Sequence, residues 1–144
     1  MNENVGRHSE LFQEGEFIGH SGDELHWKIE MDALHEREWN CIARMIMEYT
    51  KPFGEVVGIP RGGLKLSSPL EKYATNDPQH PLLIVDDVLT TGGSMEHFCE
   101  HYFRNREPRP YIGWVVFARA YCPSWVKALF QMPETLKVDY RSYN

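Results

Sequence analysis

Apolar and polar positions along this chain follow two different periods in turn. From Glu36 to Tyr49, Trp39, Ile42, Ala43, Ile46 and Met47 recur at helical spacing, which predicts an amphipathic helix. Asp32 stands ahead of it as a candidate cap, and the stretch from Pro52 to Gly54 ends it. Val56-Val57-Gly58-Ile59 is a short apolar run and predicts a buried strand. The turn Pro60-Arg61-Gly62-Gly63 follows, then a helix from Leu64 to Tyr73 interrupted at Pro69. Leu82 to Val85 predicts the next strand, Ser94 to Arg104 the next helix, and Ile112 to Ala118 a third strand. Val126 to Gln131 and Leu136 to Tyr140 predict two late strands joined by a turn at Pro133. At the other end, Met1 to Gly15 is polar and is read as an arm or loop. Phe17 to Met31 alternates around Ser21-Gly22-Asp23 and predicts a hairpin. Strands alternating with helices predict an α/β chain with a parallel sheet, to which the hairpin is an appendage.

Composition narrows the class. A chain of 144 residues is expected to form one domain with a real core. Its aromatic content and moderate charge argue against disorder. The net charge of −6 disfavours a nucleic-acid surface. Cys41, Cys99 and Cys122 are too few and too scattered for a disulfide framework or a C-x-x-C metal site. The opening residues are polar and acidic, unlike a signal peptide, and no apolar run is long enough to span a membrane. The expectation is a reduced, cytoplasmic protein that binds neither nucleic acid nor membrane.

The chemistry concentrates in one run, Leu82-Leu83-Ile84-Val85-Asp86-Asp87-Val88-Leu89-Thr90-Thr91-Gly92-Gly93-Ser94. An apolar strand leads into two carboxylates, then into a turn of hydroxyls and glycines that opens a helix. Adjacent carboxylates suit the neighbouring hydroxyls of a ribose. The glycines let the backbone approach an anion, Thr90, Thr91 and Ser94 offer hydroxyl donors, and the helix N-terminus favours a phosphate. In a parallel sheet the turn Pro60-Arg61-Gly62-Gly63 falls at the same edge. There Arg61 brings a forked cation, and Gly62 and Gly63 expose N–H groups. No P-loop signature and no G-x-G-x-x-G after a strand is present.

Val85 to Ser94 resembles the phosphoribosyl-pyrophosphate (PRPP) motif of the type I phosphoribosyltransferases. The resemblance implies a three-layer, doubly wound, mostly parallel α/β sheet with a small N-terminal hood. It implies one domain over 1–144, with arm and hood over 1–34 and core over 35–144. It places Asp86 and Asp87 on the ribose hydroxyls, Thr90, Thr91, Gly92, Gly93 and Ser94 around the 5′-phosphate, and Arg61, Gly62 and Gly63 at the pyrophosphate. PRPP would enter as its magnesium complex, with most ligands of the ion supplied by PRPP and water. A ring nitrogen would attack C1 of the ribose as pyrophosphate leaves, so Asp86, Asp87 and Arg61 are the catalytic candidates.

The resemblance covers most of the chain. Phe17-Ile18-Gly19-His20-Ser21-Gly22, followed by Lys28, is similar to the hood of orotate phosphoribosyltransferases, where hood residues help cover the base. Lys28 is then a candidate for an acidic acceptor or pyrophosphate, or else a solvated strand residue. Tyr121-Cys122-Pro123-Ser124-Trp125-Val126 looks like the late segment that holds a nucleobase. Trp125 is the stacking candidate there, against packing on the sheet. Arg119 ends the preceding strand and faces an anionic base or a surface carboxylate. Threonine at position 90, where 6-oxopurine enzymes usually carry Asp, tilts the acceptor towards orotate or a pyrimidine.

One family part is missing. Only Leu64 to Pro81 separates the two anion loops, and Ala74 to Pro81 carries no Lys or Arg. That is too short for the long closing hairpin. The alternatives are therefore a non-catalytic PRPP or nucleotide sensor, or a hydrolase, on the same fold. A homodimer is expected. His97 and His101 in His97-Phe98-Cys99-Glu100-His101 have a zinc-like spacing, but Met95, Phe98, Cys99, Tyr102 and Phe103 form the apolar face of that helix. They read as a solvated flank, and no protein metal site is assigned.

Overall fold

A computed structural model describes residues 10–18 and 24–132. The predicted turn at Ser21 to Asp23, the predicted strand from Leu136 to Tyr140 and the arm before Glu10 lie outside the described residues. The chain divides into two compact units, Met1–Trp39 and Asn40–Asn144.

In the first unit, β1 (Phe12–Ile18) pairs antiparallel with β2 (Glu24–Ile29), and the register shifts between Glu14 and Phe17. The strand starts at Phe12, inside the stretch read from sequence as an arm. Phe12 stacks on Trp27 with centroids 5.4 Å apart, which gives the polar sequence around it an apolar anchor. A 3₁₀ turn, Met31–Ala33, follows. Its cap is Glu30, whose carboxylate accepts from the Asp32 N–H.

Helix α1 (Glu36–Tyr49) spans the predicted residues and buries Trp39, Ile42, Ala43 and Ile46. The second unit is built on four parallel strands in sequence order: β3 (Glu55–Gly58), β4 (Leu82–Leu89), β5 (Tyr111–Ala118) and β6 (Val126–Gln131). Helices α2 (Gly62–Leu70) and α3 (Gly93–Phe103) flank the sheet. The first five residues of β4 are buried without alternation, as expected of a central strand covered on both faces. Ile59, Leu82, Ile84, Leu89, Met95, Cys99, Val115, Ala118 and Val126 form the core cluster.

Two elements have bounds other than the sequence predicts. β4 continues through Asp86 and Asp87, because its ladder to β5 runs on through Asp86↔Val115 to Leu89↔Ala118. α2 starts at Gly62 and passes through Pro69 before tightening into a 3₁₀ turn at Glu71–Tyr73. Pro69 lacks the N–H that would bond back one turn, so the helix gives way just beyond it.

The segment after α2 is tied to the edge where strands begin. Thr75 N–H donates to Phe53 O at 2.9 Å, Asn76 N–H to Gly54 O at 3.0 Å, and Gly54 N–H to Pro81 O at 2.9 Å. The Thr75 hydroxyl contacts His80 Nδ1 at 2.7 Å. No described helix is long and apolar enough to cross a membrane. Cys41, Cys99 and Cys122 are free thiols.

Candidate active site at the carboxyl edge of the sheet

The strand ends bring the two anion loops together. Ile59 N–H donates to Val85 O at 2.9 Å, so the turn after β3 rests on β4 just before the carboxylates. Gly63 N–H donates to Ile59 O at 2.8 Å and starts α2. The peptide bond between Pro60 and Arg61 is cis. A Cβ on Gly58 would enter the Gly63 backbone, and a Cβ on Gly63 would run into Val85 O of β4. A Cβ on Gly62 would overlap the Asp87 carboxylate. The glycines of the basic turn are thus what allows it to lie against the acidic loop, while Arg61 stays exposed.

The acidic pair is folded back on its own backbone. Asp87 N–H donates to Asp86 Oδ1 at 2.8 Å, and Val88 N–H donates to Asp87 Oδ1 at 2.7 Å. Asp86 is buried, whereas Asp87 is half-buried. Burial pushes the Asp86 carboxyl up to about 8. The negative charge of Asp87 and a side-chain hydrogen bond with it push the same way, against the Asp87 N–H bond. A carboxyl so raised keeps its proton at neutral pH unless hydrogen-bond donors or a cation stabilise its charge.

Beyond β4, Thr90, Thr91, Gly93 and Ser94 are exposed around the start of α3. Gly92 takes φ +84°, a left-handed conformation that turns the chain into the helix. Thr91 Oγ1 accepts from Gly93 N–H at 3.3 Å. The first N–H groups of α3 and the hydroxyls beside them lie together at the helix start, an arrangement whose dipole favours negative charge.

The remaining candidates fall in different places. Arg119 N–H donates to Leu89 O at 2.8 Å, which sets this residue at the carboxyl edge. It is half-buried, and burial lowers the pKa of its guanidinium. Lys28 pairs with Glu30 Oε2 at 3.3 Å and lies over the Phe17 ring at 4.8 Å, both within the hairpin. Trp125 requires a correction. Its ring packs on Gly113 and against the core cluster and meets Tyr111 edge-on at 5.0 Å. Gly113 and Tyr111 open β5, so Trp125 stands at the edge where strands start, away from the anion loops.

The same late segment carries a second aromatic, Tyr121. Residues 119–125 cross from the end of β5 to the start of β6. Pro123 near their midpoint lies against Gly92, and Tyr121 is 78% exposed. The signal was an aromatic within three residues of a strand's carboxyl end, nearer the site in sequence than Trp125. His97 and His101 are both exposed, and no group of three or more His, Cys, Asp or Glu among the described residues is placed to hold a metal.

No protein-family model matches the sequence, and no curated protein matches it significantly. Solved structures do match. The orotate phosphoribosyltransferase from Aeropyrum pernix aligns with 93% of this chain and 94% of its own at 17% identity, with a TM-score of 0.68. That of Mycobacterium tuberculosis H37Rv, in complex with Fe(III) dicitrate, aligns over 89% and 93% at 17% identity and 0.63. A phosphoribosyltransferase from Corynebacterium diphtheriae aligns over 80% and 88% at 16% identity and 0.60. At these identities the likeness is one of fold: the chain folds as type I phosphoribosyltransferases do.

Proposed function

We propose that the chain transfers ribose 5-phosphate from PRPP to a ring nitrogen of an orotate- or pyrimidine-like base, releasing pyrophosphate. The observation that carries this reading is the contact between the two loops, with Gly62 lying against the Asp87 carboxylate. A ligand with adjacent hydroxyls between two phosphate groups matches that order of acid pair, helix start and basic turn.

Asp86 and Asp87 accept hydrogen bonds from the ribose 2′- and 3′-hydroxyls. Thr90, Thr91, Gly92, Gly93 and Ser94 receive the 5′-phosphate through hydroxyls and backbone N–H groups. Arg61, Gly62 and Gly63 hold the pyrophosphate and stabilise its charge as the bond to C1 breaks. The reacting centre has oxocarbenium character, so these groups act by positioning and electrostatics. Tyr121 and Arg119 flank the acceptor base from the β5–β6 crossover. With no protein cage assigned for magnesium, PRPP and water would supply most of its ligands. When bound, the ion neutralises the leaving group. A cytoplasmic homodimer belongs to the same proposal.

Hydrolysis of PRPP is the second reading, and one observation favours it. The segment joining α2 to β4 is hydrogen-bonded to Phe53 and Gly54 at the opposite edge of the sheet, so it does not close over C1. The experiment is incubation with PRPP, magnesium and a panel of bases, following pyrophosphate and nucleotide. Base-dependent release supports transfer, and release without base supports hydrolysis. Calorimetric PRPP binding with no release under any condition would leave a sensor. In Asp86→Asn with Asp87→Asn, PRPP affinity should fall at least about a hundredfold. Unchanged affinity would remove the site.

A further inference from the structure

Parallel strands are usually joined by a crossover of a dozen or more residues that includes a helix. Residues 119–125 join β5 to β6 with no helix at all, so their backbone groups need other partners. Arg119 N–H donates to Leu89 O at 2.8 Å, and Val126 N–H donates to Pro123 O at 2.9 Å. Between those ties Pro123 rests on Gly92 of the phosphate turn. Ala118 belongs to the core cluster, and Ala120 and Cys122 pack against it. With those side chains turned inward, Arg119 stays half-buried and Tyr121 exposed.

The ladder between β5 and β6 ends at the pair Ala118↔Gln131, where Met132 N–H still donates to Ala118 O at 2.8 Å. Past that point a side chain continues what the backbone began. Gln131 Nε2 donates to Ala120 O at 3.1 Å and to Ala118 O at 3.3 Å, with Met132 O farther away at 3.4 Å. An amide nitrogen carries two hydrogens, so it can hold both carbonyls that flank Arg119. A glutamate there would have no donor, and an asparagine would fall a methylene short. The Arg119 N–H is fixed from the other side by Leu89 O, so the backbone around this residue is gripped from β4 and from β6.

We infer that Gln131 is a positioning residue for the base side of the site. It touches no ligand. It holds the backbone before and after Arg119, and so aims Arg119 and Tyr121 at a nucleobase. The role rests on the proposed reading of this edge as a ribose-phosphate site, and it is the same whether that site transfers, hydrolyses or senses. Neutral hydrogen bonds at an exposed position add little to stability, so their loss is read in the base contacts rather than in the fold.

The test is calorimetric titration of the full chain with ribose 5-phosphate and with orotidine and uridine 5′-monophosphates. It compares wild type with Gln131→Met, which keeps the side-chain length and removes the donors. Wild type should bind the better nucleotide at least about tenfold tighter than ribose 5-phosphate. In Gln131→Met that margin should shrink about fivefold, while ribose 5-phosphate binds as before and so certifies the fold. An unchanged margin would overturn the proposal, and so would an equal loss for both ligands, which marks general loosening. A wild type that binds nucleotide no tighter than ribose 5-phosphate would overturn it too, yet leave the phosphate site standing. Ribose 5-phosphate failing to bind wild type at all would remove the proposed function itself, and this role with it.

Discussion

Gly62 and Asp86 are small positions with large consequences. Gly62→Ala puts a methyl group into the Asp87 carboxylate, so one loop must move. PRPP affinity measured by calorimetry should fall at least about tenfold while the melting temperature changes little. Asp86 makes a prediction about stability. Its carboxyl is raised from 3.8 in the open chain to about 8 in the folded one, first by burial and then by Asp87. The folded state therefore binds the extra proton, and stability without ligand falls as pH rises from about 4 to 8. The slope is at most about 1.4 kcal/mol per pH unit. Asp86→Asn should flatten that dependence and raise the melting temperature at pH 8. Equal slopes in wild type and variant, read by thermal denaturation, would contradict the burial argument. These residues were legible because their types are unusual together. Acid pair, hydroxyl pair and glycine pair in that order have few uses. Gly58 was not singled out, since a glycine in an apolar run shows its purpose only when Gly63 is seen packed upon it.

Among the elements, periodicity read well wherever one face is uniformly apolar. Helix α1 and strand β6 have the predicted bounds. β4 and α2 were cut short because Asp86-Asp87 and Gly62-Gly63 read as loop, whereas their backbones continue the ladder and the first helical turn. The β5–β6 crossover was the hardest segment to read. It begins at one edge of the sheet and ends at the other, so a few residues decide whether an aromatic meets ligand or core. Sequence cannot measure that passage, and it is why Trp125 stands at the edge opposite the anion loops. Trp125→Ala should lower stability by about 2–3 kcal/mol in chemical denaturation. It should leave the KM for the acceptor base unchanged. A raised KM at unchanged stability would return Trp125 to the site.

Across the whole molecule, the described strands of the sheet follow the order in which they are made, β3-β4-β5-β6. Neighbours in the chain are then neighbours in the sheet. Gly58, the basic turn, α2, the acid pair and the start of α3 all belong to one uninterrupted stretch, residues 58–94. Its closest contacts, Gly58 with Gly63 and Gly62 with Asp87, fall inside that stretch. The candidate phosphate loops are therefore expected to open and close as one cooperative unit. Hydrogen exchange should show the amides of Ile59, Gly63, Asp87 and Val88 sharing a single opening free energy, and PRPP should slow all four together. Unequal protection among them would mean that the turn and the acid loop are independent, and that their meeting at Gly62 is mere proximity.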